Sequence, residues 1–180
     1  MDVSDAQRDV RTMYLGGFPG QLASGLIWLA SAALATWATQ RAAILMLVLG
    51  GMLIFPLAQF VLKLMGRPAS LPKGHPMTGL AMQIAFTIPL SLPLVAAATH
   101  AHPGWFYPAF MIIVGAHYLP FIHLYGMRMF GVLAAILLAG ALVFAHLEAA
   151  PFAAAGWFTG VTLVAFAFLG RALAGRANRA

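Results

Sequence analysis

The chain has 180 residues, of which 62% are hydrophobic and only 8% are charged, against about 25% charge in a soluble domain. That leaves too little polar surface for a water-soluble globule, and the formal charge of +6 is spread between apolar runs rather than gathered on a basic face, which argues against a nucleic-acid partner. The absence of cysteine excludes disulfides, thiolate catalysis and cysteine-held clusters.

Residues 1–14, MDVSDAQRDVRTMY, are polar, with Val3, Ala6, Val10 and Met13 on one side of a short helix. This pattern fits an interfacial helix on the membrane or a frayed tail. Three aspartates and no long apolar core do not fit a cleavable signal peptide.

Apolar runs follow near 21–39, 42–65, 79–99, 105–124, 127–147 and 156–173. Crossing a bilayer takes roughly 20 helical residues. The sequence therefore predicts an all-α integral membrane protein with six transmembrane helices in a single domain over 1–180. The connection GRPASLPKGHPMT carries three prolines and two glycines and is predicted as a loop.

Charge orients the bundle. With six spans, Arg8, Arg11, Lys63, Arg67, Lys73, Arg128, Arg171, Arg176 and Arg179 share one side, and only Arg41 falls on the other. The positive-inside rule then predicts both termini in the cytoplasm, in a bacterial inner membrane. Trp37, Trp105 and Trp157 fall near the outer helix ends, at headgroup level, where an apolar ring with a polar N–H is favoured.

Helices in lipid associate through small residues. Candidates are Gly131, Ala135 and Ala139 in the fifth span, Gly156 and Gly160 in the sixth, and Ser31 and Ala35 in the first. The expectation is helix–helix contact within the chain, with a homodimer through one of these stripes.

Prolines disturb three spans. Pro56, Pro89, Pro93 and Pro120 release the carbonyls of Met52, Ala85, Pro89 and Ala116. In lipid such carbonyls need another donor or a shielded cavity. Polar side chains gather in the same spans: Gln59 and Lys63 in the second, then Gln83, Thr87 and Ser91 on one face of the third. In the fourth, His117 lies twelve residues past Trp105, roughly 18 Å deep at 1.5 Å per residue. His117, Gln59, Gln83, Thr87, Tyr118 and His123 are the candidate substrate-binding residues of an inward-facing polar pocket. A buried histidine needs partners and can bind a ligand or carry a proton; bracing the bundle is the simpler role. Tyr118, about a hundred degrees around the helix from His117, is expected to pack. His123 and Tyr125 suit the interface.

Metal binding is weakly supported. His100, His102, His146 and Glu148 share the outer side but match no closed zinc site. The only acids are Asp2, Asp5, Asp9 and Glu148, none deep in the membrane, so a carboxylate-based proton carrier and magnesium-dependent diphosphate chemistry are disfavoured. No cofactor and no metal is predicted.

Residues 14–28, YLGGFPGQLASGLIW, crowd glycine and proline at the start of the first span, suiting a rigid corner or a tight turn. The GGxPG…SGxxW pattern at Gly16, Gly17, Pro19, Gly20, Ser24, Gly25 and Trp28, with HYLPFIHLYG at His117 to Gly126, resembles a family of small six-span bacterial membrane proteins without an assigned activity. The resemblance implies fold and setting only.

Three functions are open. The first is a small-molecule or ion transporter or channel, contacting its ligand from spans 2, 3 and 4. The second is a non-catalytic membrane interaction or sensory module. The third is an enzyme acting on a lipid or quinone-like substrate, for which one histidine without a nucleophile is thin support. Lipid bilayer, a small-molecule ligand and a second copy are the expected partners.

Overall fold

The computed structural model describes residues 2–68, 70–147 and 149–177. Helices run α1 (Val3–Met13), α2 (Phe18–Trp37), α3 (Gln40–Gly51), α4 (Ile54–Leu64), α5 (Thr78–Ala101), α6 (Phe106–Tyr118), α7 (Phe121–Tyr125), α8 (Met129–His146) and α9 (Ala154–Ala177), with no strand among the described residues. Five helical segments are long and apolar enough to cross a membrane, and α3 with α4 forms a sixth if that bent pair is one span. The protein is an all-α, multi-pass membrane protein.

α1 is a docked helix rather than a frayed tail. Asp2 caps it, accepting from the Val3 N–H at 2.6 Å and the Ser4 hydroxyl at 2.8 Å. Ala6 and Val10 are buried. Gln7 donates to the His123 carbonyl, and Arg11 donates to the Tyr125 carbonyl at 3.0 Å. These are late carbonyls of α7, which have no partner within their own helix. The amphipathic stripe of α1 thus buries its small residues while its polar residues close α7.

The glycine-rich stretch forms a corner. Leu15, Gly16 and Gly17 take φ of 52°, 65° and 86°, a left-handed turn that reverses the chain between α1 and α2. A Cβ on Gly16 would lie 2.4 Å from the Gly170 carbonyl oxygen, so position 16 requires glycine both for its φ and for the close approach of α9. Farther along the same crossing, a Cβ on Gly25 would meet Val164 Cγ2 at 2.7 Å, and one on Gly160 would meet Leu29 Cδ2 at 2.7 Å. Gly156 fits against Tyr107 and Ala32. The expectation for Gly156 and Gly160 therefore holds: α2 and α9 share the most extensive contact in the molecule.

The fifth-span expectation holds only at Gly131, where a Cβ would meet Ile122 Cδ1 at 3.0 Å. α8 buries Phe130, Leu133, Ala134, Leu137 and Ala141, while Ala135 and Ala139 point outward. α8 meets α6 across a seam of larger side chains, because Gly115 on α6 supplies the space instead, against Leu137 and Leu138.

Proline acts differently in each span. α3 and α4 meet at 59° across Met52 and Leu53, and Pro56 sits in the first turn of α4, where no N–H is needed. Pro120 likewise opens α7 after α6 ends, and the freed Ala116 carbonyl accepts from the Leu119 N–H at 3.2 Å. α5, by contrast, runs unbroken through Pro89 and Pro93. It leans mainly on α6. Only 11% of its most apolar stretch is buried, against 56% for α2, so it can bend to fit each proline without disturbing a packed core.

Side-chain contacts mark the two ends of the bundle. Trp37 and Trp157 meet with ring centroids 5.7 Å apart, and Trp157 Nε1 donates to Thr36 Oγ1 at 3.0 Å. Gln40, His102, Trp105 and Phe152 line a cavity at that end. Arg67, Arg171 and Arg176 gather at the other.

The α2–α9 crossing can be tested by adding one methyl group at a time. Gly16→Ala and Gly160→Ala should each lower unfolding free energy in detergent by about 1–3 kcal/mol. Gly20→Ala, with nothing within 4 Å, should change it by less than about 0.5 kcal/mol. Equal effects at all three positions would show that this crossing does not limit stability.

Candidate functional site

The seam between α5 and α6 carries the central pair. Thr87 Oγ1 lies 2.7 Å from His117 Nδ1 and donates to the Ile84 carbonyl at 2.7 Å. A hydroxyl has one proton to give. With that proton on Ile84, Thr87 faces His117 as an acceptor, and the Ile84 carbonyl is an acceptor in reach of the same ring. This assigns the imidazole proton to Nδ1 and leaves a lone pair on Nε2. The ring is half-buried and is held by Phe121 at 5.1 Å and Tyr118 at 5.7 Å between centroids. Pro120 follows three residues later, ending α6 beside it.

The other predicted residues divide. Ser91 Oγ donates to the Thr87 carbonyl at 2.7 Å, one turn along from the pair. Gln83, on the same face of α5, is exposed, and its side chain bonds to no described residue. Gln59 is half-buried on α4, which packs on α2 rather than α5. Spans 2, 3 and 4 therefore do not bring Gln59 to the Thr87–His117 pair, because the 59° bend turns α4 toward α2. Tyr118 is buried, stacked on Phe130 at 6.0 Å and edge-on to Phe121 at 5.2 Å. His123 is exposed beside α1, and its backbone is engaged, the N–H donating to the Pro120 carbonyl at 3.1 Å and the carbonyl accepting from Gln7.

Sequence reasoning missed three buried polar groups. Gln21, in the first turns of α2, is 2% exposed, with neither amide atom hydrogen-bonded at normal length. Its polar neighbour is the Tyr118 hydroxyl. An amide so placed costs about 1–3 kcal/mol; the available signal was its position directly after the glycine corner. Ser31 was noted only for its size. It donates to the Ala43 carbonyl at 2.8 Å and accepts from the Tyr107 hydroxyl at 2.6 Å, tying α2, α3 and α6 together. His75 is buried in the loop before α5 and accepts the Met77 N–H at Nδ1 over 3.2 Å. That leaves the buried Nε2–H without a hydrogen-bond partner among the described residues, the Asp9 carboxylate of α1 standing 3.8 Å away.

The outer histidines are spread out. His102 stacks on Trp105 at 5.3 Å, and His146 Nδ1 bonds to the Leu142 carbonyl at 2.8 Å. No group of three metal-binding side chains forms among the described residues. Glu148 lies outside them, as does Arg179.

A family model, described as a family of unknown function (DUF7010), matches residues 3–172. The chain belongs to this family. No curated protein and no solved structure matches it. The DUF7010 match runs from the start of the docked α1 to Ala172 in α9 and includes the Thr87–His117 pair.

The tautomer can be checked directly in this DUF7010 protein. Imidazole ¹⁵N spectra of the protein in lipid should show Nδ1 protonated and Nε2 bare at His117, with that preference lost in Thr87→Val. A protonated Nε2 in the unmodified protein would overturn the assignment. The variant should also lose about 0.6–1.7 kcal/mol of stability, the range for interhelical hydrogen bonds in membranes.

Proposed function

We propose that the protein is a small-molecule or ion transporter or channel in which α5 moves against a core of α2, α6, α8 and α9. The Thr87–His117 contact is the observation that carries this reading. It is a polar contact between α5 and α6 at the edge of an apolar seam, on a helix with two prolines and little burial. A helix held mostly by one neighbour can part from it at low cost, and parting frees the half-buried His117 ring beside Thr87 and Gln83, which are already exposed. Ligand contact falls to these residues, with Tyr118 backing the ring. Gln59 and His123 stand apart from the seam and are given no contact in this scheme.

In the proposed orientation the arginine-rich end lies in the cytoplasm of a bacterial inner membrane, with both termini there. A homodimer through the outward Ala135 and Ala139 of α8 is part of the same proposal, since small exposed residues let helices approach closely in lipid.

One observation favours a second reading, a non-catalytic interaction module. Met82, Phe86, Leu90 and Leu94 form an exposed stripe along α5, which suits a partner helix as well as lipid.

The absence of cysteine makes one experiment decisive between them. Single cysteines at positions 117 and 83, with Leu137→Cys in the buried core as control, are treated in membranes with a small water-soluble thiol reagent from each side. Labelling at 117 and 83 from the arginine-rich side, with 137 silent, is the expected result. A dry position 117 from both sides would overturn transport along this seam and favour the interaction module.

A further inference from the structure

The C-terminal turns of α9 face the α1–α2 corner across a cavity of about 590 Å³, within the range of small-ligand sites. Arg67, Arg171 and Arg176 are among the residues that line it. Among the described residues no carboxylate lines it. Asp5 pairs with Arg8 and Asp9 faces His75, so these arginines have no acidic partner among the described residues. Three like charges around one cavity at a membrane surface repel one another unless an anion joins them.

The arginines are also held in position. Arg67 Nη1 donates to the Thr12 carbonyl at 2.8 Å, and the Arg171 guanidinium lies over the Phe18 ring at 5.0 Å, a cation–π contact. Holding the side chains beforehand reduces the entropy lost when they grip a ligand. A planar guanidinium fork matches phosphate oxygens with paired hydrogen bonds. The remaining wall is apolar, formed by Leu15 and Phe168, and Phe168 is exposed on the outside of α9. An anion with an attached apolar chain fits both surfaces.

We propose that this cavity binds a phosphate-bearing anion, drawn from an anionic lipid headgroup or from solution. The site joins α1, the loop before α5, and α9, so its occupant links three separately inserted elements. It is independent of the transport reading, because none of its residues touches the α5–α6 seam.

The test uses full-length protein in nanodiscs of phosphatidylcholine, with phosphatidylglycerol added at increasing fraction, and separately in phosphatidylcholine alone with inorganic phosphate. Bound lipid is counted by native mass spectrometry, and phosphate binding is followed by calorimetry. Arg176→Gln is the informative variant, since Arg176 makes no hydrogen bond, ion pair or ring contact with a described residue and its loss should leave the fold intact. Arg128→Gln, outside the cavity, is the control. Retention of phosphatidylglycerol, about tenfold weaker in Arg176→Gln and unchanged in Arg128→Gln, supports a lipid headgroup site. Binding of inorganic phosphate with the same pattern of variants supports a soluble ligand. Absence of both, or equal binding in both variants, overturns the proposal.

Discussion

The architecture depends on how closely α2 and α9 approach. Between helices in lipid there is no water to expel, so association rests on contact at short range. Here the contact is backbone against backbone: Gly16 against Gly170, Gly25 against Gly160 and Val164. The spacing leaves no room for a Cβ at these positions. It joins the first span to the last, closing the bundle on itself. It also brings the end of α9 beside the α1–α2 corner and sets Phe130 against Gly17. The aromatic core of Trp28, Tyr107, Phe110 and Phe130 then packs within that frame.

Polar groups are used sparingly, and each joins elements that apolar packing alone would leave free to slide. Ser31 ties α2 to α3 and α6. Gln7 and Arg11 close the end of α7. Thr87 and His117 join α5 to α6. The first two lie on well-packed elements and stabilise them. The third lies on the least buried span, where a hydrogen bond is a larger share of what holds the helix. That difference in setting, rather than any difference in chemistry, makes the α5–α6 seam the functional candidate.

The two ends of the molecule are chemically unlike. One carries Trp37 against Trp157, with the Trp157 indole donating to Thr36, and Trp105 stacked on His102. The other concentrates arginine on a surface formed by α1, the loop before α5 and α9. His75 lies buried in that loop, 3.8 Å from the Asp9 carboxylate of α1. The left-handed corner at Leu15–Gly17 lets α1 fold back and complete the basic surface, so a turn required by packing also shapes the charged end.

The sequence by itself determined the membrane setting, the number and rough limits of the apolar helices, and which ends share charge. These follow from run length against bilayer thickness and from the cost of burying arginine, both local properties. It also located the breaks at Pro56 and Pro120, since a missing N–H acts on its own helix. It did not determine which face of each helix is inward. In water, polar residues mark the outer face; in lipid, the outer and inner faces are equally apolar, so α5, α8 and α9 show no amphipathic pattern to follow. Thus Ala135 and Ala139 of α8 were expected inside and lie outside, Gln59 was grouped with His117 and lies on α4, which packs on α2, and Gln21 passed unnoticed although its amide is buried. Only the tertiary structure decided these, because they depend on which helix stands opposite, and that choice was made by the glycines that let α2 and α9 touch.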